Sequence, residues 1–470
     1  MQAASLLSTV DFILLKDLRG VGLQVNNRVS EVESEHEAQH SVNHLEIIGD
    51  IDPSIEIDDG SSILIVSKDQ SYLTHGIHRF PAKFFPELPR YLIRRFSAEG
   101  DVVLDPMCGS GTVLLEALLN NRKGIGIDID PIARLLTKVK TTPLDPTSLQ
   151  LAMTSLMVQI QKLESSTEYT PNIPHFYYRD NWFRPYVLRE LAIINDSIEI
   201  VSPLIPNETW KNFQDFFKVI LSSIIRDMSN ADPHCTRTVL RRKVVKKISP
   251  GDTLSRFKEV LFQQCKNMAD FAQVCDGLKY QNITVPNANA LDTGLASEEI
   301  DLAITSPPYI NAVDYPRTHQ LEMYWLGFLG DGPLSKLKRT YIGTETVYKN
   351  EYENKKTSGI SELDSLLERI YKQDPRRSYI VFKFFDDMER QLSETLRVLK
   401  PGGRYSIAIG NNVIRGIPIN SHDILAQIAT ERVGFSLEKM FYSRLIRHFI
   451  KIPRQERMDG EWVLVLRKCD

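Results

Sequence analysis

Two stretches of this chain carry residue types that can do chemistry together. The first is Asp105-Pro106-Met107-Cys108-Gly109-Ser110-Gly111-Thr112, with Asp128-Ile129-Asp130 following it. Glycines just after a strand let the backbone pass close to a ligand and aim the N–H groups of a helix start at it. An acid at the end of the next strand is placed to accept hydrogen bonds from both hydroxyls of a ribose. A dinucleotide site would want Gly-x-Gly-x-x-Gly to hold a pyrophosphate, whereas this turn reads Cys-Gly-Ser-Gly-Thr. Asp105 at the turn suits a ligand that is cationic instead, as the sulfonium and ammonium of S-adenosylmethionine are. A merely structural strand–helix–strand unit would account for the glycines but not for both acids.

The second stretch is Ser306-Pro307-Pro308-Tyr309, directly after the apolar run Asp301-Leu302-Ala303-Ile304-Thr305. Two prolines fix the backbone and so hold the carbonyls of Ser306 and Pro307 near a strand end. An exocyclic amine of a base is a poor nucleophile because its lone pair is delocalised into the ring. Two acceptors bonding both its hydrogens, Ser306 Oγ and the Pro307 carbonyl, would favour pyramidalisation, and Tyr309 would stack on an extruded base. Such catalysis is positioning and electrostatics without a covalent intermediate. On its own the tetrapeptide is equally a proline turn closing a strand.

The elements that must position these residues follow from the pattern. Val102 to Leu104 reads as a buried strand, Met107 to Gly111 as a turn, Thr112 to Leu119 as an apolar helix and Gly124 to Ile129 as a second strand: a βαβ unit opening a doubly wound sheet. Before it, from Pro86, the residues Leu88, Tyr91, Leu92 and Phe96 recur at helical spacing. The stretch 133–282 breaks the rhythm with mostly helical patterning and is an insertion, since a crossover needs only a dozen or so residues. The sheet resumes at Ile283–Val285 and Ile300–Thr305. A polar, basic insertion covers roughly 331–378. A helix ending at Leu399, a Pro-Gly-Gly turn, a strand over 404–410, a helix from about His422 and strands near 461–466 complete the chain. The expected division is therefore an accessory segment 1–70, a cofactor half 71–132, the helical insertion 133–282 and a catalytic half 283–470.

Asp-Pro-Met-Cys-Gly-Ser-Gly-Thr together with Thr-Ser-Pro-Pro-Tyr resembles the amino-group DNA methyltransferases, specifically the N4-cytosine group, whose tetrapeptide typically begins with serine. The resemblance covers roughly residues 74–131 and 283–470. It implies an α/β, Rossmann-like methyltransferase sheet of seven strands with one antiparallel strand, S-adenosyl-L-methionine as cofactor, double-stranded DNA as substrate and base flipping. The segment His78-Arg79-Phe80-Pro81-Ala82-Lys83-Phe84 is similar to the family motif that borders the methionine end of the cofactor, which makes Phe80, Pro81, Lys83 and Phe84 cofactor candidates. Asp105, Met107, Cys108, Gly109, Gly111, Thr112, Asp128 and Ile129 join them by the glycine-turn match. Asn289 stands where the family often has an Asp near the adenine ring. Gly410, Asn411 and Asn412 match a segment that would line the target pocket.

The resemblance does not locate the DNA-reading region, because the largest insertion lies between the second and third strands, away from the familiar positions. Local charge offers three candidates. The cluster Arg237, Arg241, Arg242, Lys243, Lys246 and Lys247 is either a phosphate-binding surface or a solvated helix face. Asp314, Tyr315 and Arg317 lie close in sequence to Tyr309. Arg444, Arg447, His448, Lys451 and Arg454 form a third set.

Three rival functions stay open at this stage. Adenine N6 presents the same amine to the same two acceptors. Guanine-N2 methyltransferases acting on RNA share a similar glycine turn, but usually carry Asp or Asn in the tetrapeptide. A pseudoenzyme keeping the pocket as structure would bind cofactor without transferring its methyl.

Bulk properties exclude less than the motifs imply. Of 470 residues 42% are hydrophobic and the formal net charge is −3, so any DNA-binding face must come from local clustering. Five scattered cysteines, with no zinc spacing, fit a reducing cytoplasm. His75 and His78 lack partners at metal-ligand spacing, and the proposed reaction needs no metal. No signal peptide or membrane span is expected. The family resemblance implies a prokaryotic, cytoplasmic modification enzyme, with any restriction nuclease a separate chain.

Overall fold

The structure, a computed structural model, describes residues 44–201, 207–241, 246–310, 313–329, 334–445 and 460–470. In chain order the elements are β1 (His44–Ile48), β2 (Ser62–Val66), α1 (Glu87–Phe96), β3 (Val102–Asp105), α2 (Thr112–Leu119), β4 (Lys123–Gly126) and α3 (Pro131–Lys140). There follow α4 (Pro146–Ser165), α5 (Arg179–Trp182), α6 (Pro185–Ile200), α7 (Asn207–Ile225), α8 (Asp252–Cys275), β5 (Ile283–Thr284) and β6 (Ile300–Thr305). After the tetrapeptide come α9 (Tyr315–Thr318), α10 (Gln320–Trp325), α11 (Leu334–Lys338), α12 (Lys349–Tyr352), α13 (Ser361–Tyr371) and α14 (Pro375–Val398). The chain closes with β7 (Leu399–Ile409), a small hairpin of β8 (Asn412–Ile414) and β9 (Ile417–Ile419), α15 (Ser421–Gln427), β10 (Phe435–Leu445) and β11 (Gly460–Lys468).

Asp-Pro pairs start three of these helices. Asp130 accepts from Ile132 N at 2.8 Å, Asp145 from Ser148 N at 2.7 Å and Asp374 from Arg377 N at 3.0 Å, each followed by a proline that needs no donor at the first helical position.

The central sheet runs β1-β2-β10-β11-β7-β6-β3-β4-β5, with β11 antiparallel to both its neighbours and the other pairs parallel. The seven strands from β10 to β5 make the expected sheet with one antiparallel strand. The count itself is corrected to nine, because β1 and β2 extend the edge beyond β10. Residues 44–66, expected in an accessory segment ending at 70, thus belong to the sheet. Ile63 and Ile65 on β2 are buried with Leu88 and Leu92 of α1, which is why this segment docks.

The strands bury both faces, so their sequences are near-continuous apolar runs. Val103, Leu302, Ile304, Val463 and Val465 face α1 and α2, while Leu104, Ala303, Tyr405, Ile407, Leu464 and Leu466 face α14 and α15. A third core lies within the helical insertion, where α4, α6, α7 and α8 pack around Leu156, Leu191, Phe217 and Phe257. The Pro-Gly-Gly segment at 401–403, expected as a turn between a helix and a strand starting at 404, lies inside the strand instead. β7 already starts at Leu399, and its register against β6 jumps from Ile300↔Leu399 to Leu302↔Arg404, so these residues bulge out of a continuing strand.

The order of the chain reverses between β3 and β6. In an open α/β sheet the crevice outside the carboxyl ends of strands at such a switch point is where ligands bind. Asp105 ends β3, and Thr305 with Ser306 ends β6.

Candidate active site

The glycine turn after β3 is tied to the ends of its neighbours. Cys108 N donates to Ile127 O at 2.9 Å, and Gly109 N donates to Asp128 Oδ2 at 2.8 Å. Asp130 N donates to Asp128 Oδ1 at 2.8 Å. Gly109 has φ 48° and Gly111 φ 77°, the left-handed region where a side chain is strained. A Cβ on Gly109 would come within 3.3 Å of the Phe80 ring, and one on Gly111 within 2.7 Å of Thr137 Oγ1. The first glycine lets an aromatic approach the turn; the second lets α2 pack on α3.

Around this turn lies a cavity of about 870 Å³, open mouth included. Of the cofactor candidates, Phe80, Lys83, Phe84, Asp105, Met107, Cys108, Gly109, Thr112, Asp128, Ile129 and Asn289 line it. Pro81 and Gly111 do not: Pro81 turns the chain so that Ala82 lines the wall, at φ 50°, and Gly111 serves helix packing. Ser306 and Pro308 lie on the same wall as the acids, so the fold brings both sequence stretches to one cavity. Pro307 is buried and not on the wall.

Sequence reading missed several lining residues. Ser110, Val113 and Ala290 follow from neighbours already identified, and Asp130 had been noted only as the second acid of its strand end. Thr340, Tyr341 and Ile342 come from the 331–378 insertion, and nothing in their composition marks them.

Burial governs the electrostatics. It pushes Asp105 up to about 7, against a hydroxyl bond from Thr305 at 2.7 Å and an N–H bond from Met107 at 3.1 Å that favour the anion. Burial, then the neighbouring Asp128, pushes Asp130 up to about 7. Asp128 is likewise raised by burial. One oxygen of Asp130 caps α3, while its Oδ2 and the Tyr341 hydroxyl are buried close to each other without a well-formed hydrogen bond. Lys83, lowered to about 8 by burial, donates to the carbonyls of Gln70 at 2.6 Å and His75 at 3.1 Å. Its ammonium braces the segment rather than the cavity's acids.

The remaining candidates separate. Tyr309 does not line the cavity; its hydroxyl donates to Glu461 on the antiparallel strand β11, a partner sequence reading did not find. Tyr315 lines the main cavity and a smaller neighbouring one of about 420 Å³, where Asp314 and Arg237 also stand. There Asp314 pairs with Lys338, and Arg237 lies 4.0 Å from Glu345. Arg317 is exposed. Asn411 and Asn412 line neither cavity: Asn411 bonds His422 at 2.7 Å, and Asn412 donates to Gly410 O at 3.4 Å.

The basic cluster of the insertion disperses. Arg241 pairs with Asp232 at 3.2 Å, Lys246 donates to the carbonyls of Arg226 and Asp227, and Arg242 and Lys243 lie outside the described residues. Arg447, His448, Lys451 and Arg454 lie outside them too. His75 bonds the buried Glu116 at 2.8 Å, and His78 meets Ser222 at 3.0 Å, both inside the protein frame. No helix among the described residues is long and apolar enough to cross a membrane.

Residues 29–138 match the family model described as DNA methylase, of the N6/N4 type. The chain is 27% identical over 401 residues to the type II methyltransferase M.MvaI of Kocuria varians, covering 80% of this chain and 85% of that one. It is 23% identical over 440 residues to the type II methyltransferase M.AvaI of a Nostoc species, covering 83% and 84%. The similarity is to the amino-group DNA methyltransferases, and the chain is a methyltransferase. A solved rRNA methyltransferase from Streptomyces viridochromogenes aligns over 85% of this chain and 92% of that one, at 12% identity and a TM-score of 0.29.

The cofactor of an amino-group DNA methyltransferase is S-adenosylmethionine, and the cavity fits it. Three carboxyls line the space, Asp105 and Asp130 buried and Asp128 half-buried, and the lysine on the wall is engaged elsewhere. That wall attracts a cationic ligand and would repel a pyrophosphate. Asp105, Asp128, Asp130 and Asn289 would hold the polar groups, and Phe80, Phe84 and Ile129 the apolar parts.

Proposed function

We propose that this methyltransferase acts on the exocyclic N4 amino group of cytosine in double-stranded DNA, with the base extruded from the helix. The observation that carries this reading is that Ser306, the head of the Ser-Pro-Pro-Tyr loop, stands on the same cavity wall as the cofactor acids. When bound, S-adenosylmethionine supplies an electrophilic methyl on a sulfonium.

The chain's own residues do the rest. Ser306 Oγ and the Pro307 carbonyl accept the two hydrogens of the target amine and turn its lone pair toward the cofactor. The proline pair keeps both acceptors from relaxing away, so little reorganisation accompanies reaction. Tyr309 stacks on the extruded base, its ring held by the bond to Glu461. Phe80, stacked on Tyr315 at 5.5 Å, closes the wall between the cofactor and the catalytic segment and keeps water out. Serine at the head of the loop supports cytosine over adenine. The type II names of the relatives support a modification role beside a separate nuclease, and five free cysteines support a reducing cytoplasm.

The test is transfer of labelled methyl from S-adenosylmethionine to mixed genomic DNA, followed by digestion and mass spectrometry of nucleosides. N4-methylcytosine is the expected product. N6-methyladenine would keep the mechanism and overturn the base; label in RNA alone would overturn the DNA substrate.

A further inference from the structure

Two guanidinium groups stand unpaired beside the catalytic wall. Arg79 immediately precedes Phe80, and Arg317 lies two residues after Tyr315. The Phe80 ring stacks on Tyr315 at 5.5 Å and on His319 at 5.2 Å, so the segments bearing the two arginines are clamped together by one aromatic stack. Both arginines are exposed, and among the described residues neither lies within ion-pair distance of a carboxylate. Elsewhere on the surface such charges are mostly matched: Arg94 with Asp50, Arg404 with Glu438, Arg415 with Asp374 and Arg432 with Glu389.

More charge of the same sign lies behind them. Arg226 is buried, donates to the carbonyls of Asp232 and Thr236, and sits close enough to Arg79 for the two to repel. His319, in the stack itself, is held neutral by burial, with His78, Arg226 and Arg79 adding to the effect, and neither of its ring nitrogens has a hydrogen-bond partner. Arg226 has Glu322 and Asp227 near it and His319 carries no charge, so the unmatched charge at the cavity's edge is that of Arg79 and Arg317, in a chain whose formal net charge is −3. Uncompensated like charges on a rigid aromatic support are unfavourable in the free protein and favourable once a polyanion lies across them.

We propose that Arg79 and Arg317 form a clamp for backbone phosphates of the DNA strand from which the target nucleotide is extruded. The inference rests on the DNA reading and adds to it the contact that sets the strand's position over the Ser306 wall. A phosphate contact carries no sequence information, so it acts on every duplex alike. The clamp belongs to the methyltransferase frame itself, not to the helical insertion. It therefore positions the strand whichever surface reads the sequence.

The experiment is fluorescence anisotropy of the full chain on a random-sequence duplex, with S-adenosylhomocysteine present, across about 50 to about 200 mM salt. Wild type, Arg79→Ala, Arg317→Ala, the double variant and Arg415→Ala as a paired-arginine control are compared. Each clamp substitution should flatten the slope of log affinity against log salt by about 1, so that the affinity lost over this range shrinks by about three- to four-fold. The double variant should flatten it by about 2, with Arg415→Ala at the wild-type slope. Arg79→Lys should keep the slope, because the charge remains. KM for DNA should rise while kcat at saturating DNA and affinity for S-adenosylhomocysteine stay at wild-type values. Wild-type slopes and KM in the double variant would overturn the clamp while leaving the DNA reading intact. Absence of duplex binding by the wild type would overturn both.

Discussion

The Thr305 hydroxyl donates to Asp105 Oδ1 at 2.7 Å, joining two residues 200 positions apart at the facing ends of β6 and β3. One belongs to the glycine turn, the other immediately precedes Ser306. The bond is buried, with Thr305 fully enclosed and Asp105 nearly so. It locks the two halves of the site in register at the switch point of the sheet.

Thr305→Val keeps the shape and removes the donor. Asp105 then keeps the Met107 N–H and loses its strongest counterweight to burial, so its carboxyl should rise further. We expect a stability loss of about 1–3 kcal/mol in denaturant unfolding and weaker S-adenosylmethionine binding by calorimetry. Wild-type values for both would mean that the bond is not what joins the two motifs.

Asp105 and Asp130, each near 7, should make cofactor affinity depend on pH. A cationic ligand favours the ionised carboxyls, so affinity should rise from pH 6 to pH 8 with release of protons, read as a buffer-dependent heat of binding. The ligand-free protein should show the opposite slope. Native carboxyls that hold protons above their unfolded value near 4 cost stability as pH rises from about 4 to about 7, and the loss levels off above that. Asp130→Asn, whose amide oxygen can still cap α3, should flatten part of both curves; unchanged curves would remove Asp130 from the titration.

Gly111→Ala tests the packing role that displaced its expected place in the cavity. The left-handed φ and the 2.7 Å approach to Thr137 Oγ1 act together. A loss of about 2–4 kcal/mol in chemical denaturation is expected. Should stability survive and only cofactor affinity fall, Gly111 would return to the ligand-binding set.

Ser306→Ala should lower kcat by about 100-fold or more with cofactor affinity within a few-fold, as expected for a group acting only on the reacting amine. Tyr309→Phe and Glu461→Gln should each lower kcat more mildly, and the double variant should be no worse than either single one. Additive losses would show that the Tyr309–Glu461 bond is not the unit through which they act.

Asp128→Ala should weaken cofactor binding by about 1.5–3 kcal/mol, as lost charge-assisted hydrogen bonds would. The structure adds a consequence. Asp128 also accepts the N–H groups of Gly109 and Asp130, so part of this loss should appear as a looser turn, with faster amide exchange at Gly109 even without cofactor. Protected Gly109 in the variant would count against that role.

Much of the site is legible in the residues because its parts are local. A strand, a glycine turn and a helix occupy consecutive residues from Val102 to Leu119, and the expected helix Thr112–Leu119 has the observed bounds. The acids at 128 and 130 and the Ser-Pro-Pro-Tyr loop are likewise defined by neighbours in the chain. Composition, spacing and resemblance sufficed to determine an α/β methyltransferase with a cationic adenosyl cofactor. What the tertiary structure alone decided are relations across long separations, which no local pattern encodes: Thr305 against Asp105, Tyr309 against Glu461, Tyr341 reaching the cofactor wall from an insertion, and β1 and β2 joining the sheet. Charge was the weakest guide for the same physical reason. A lysine or arginine in sequence carries no sign of its partner, so the dense cluster around Arg241 and Lys246 turned out partly spent on Asp232 and on backbone carbonyls, while Arg79, with no such cluster around it, stands without an ion pair next to Phe80 of the cavity wall.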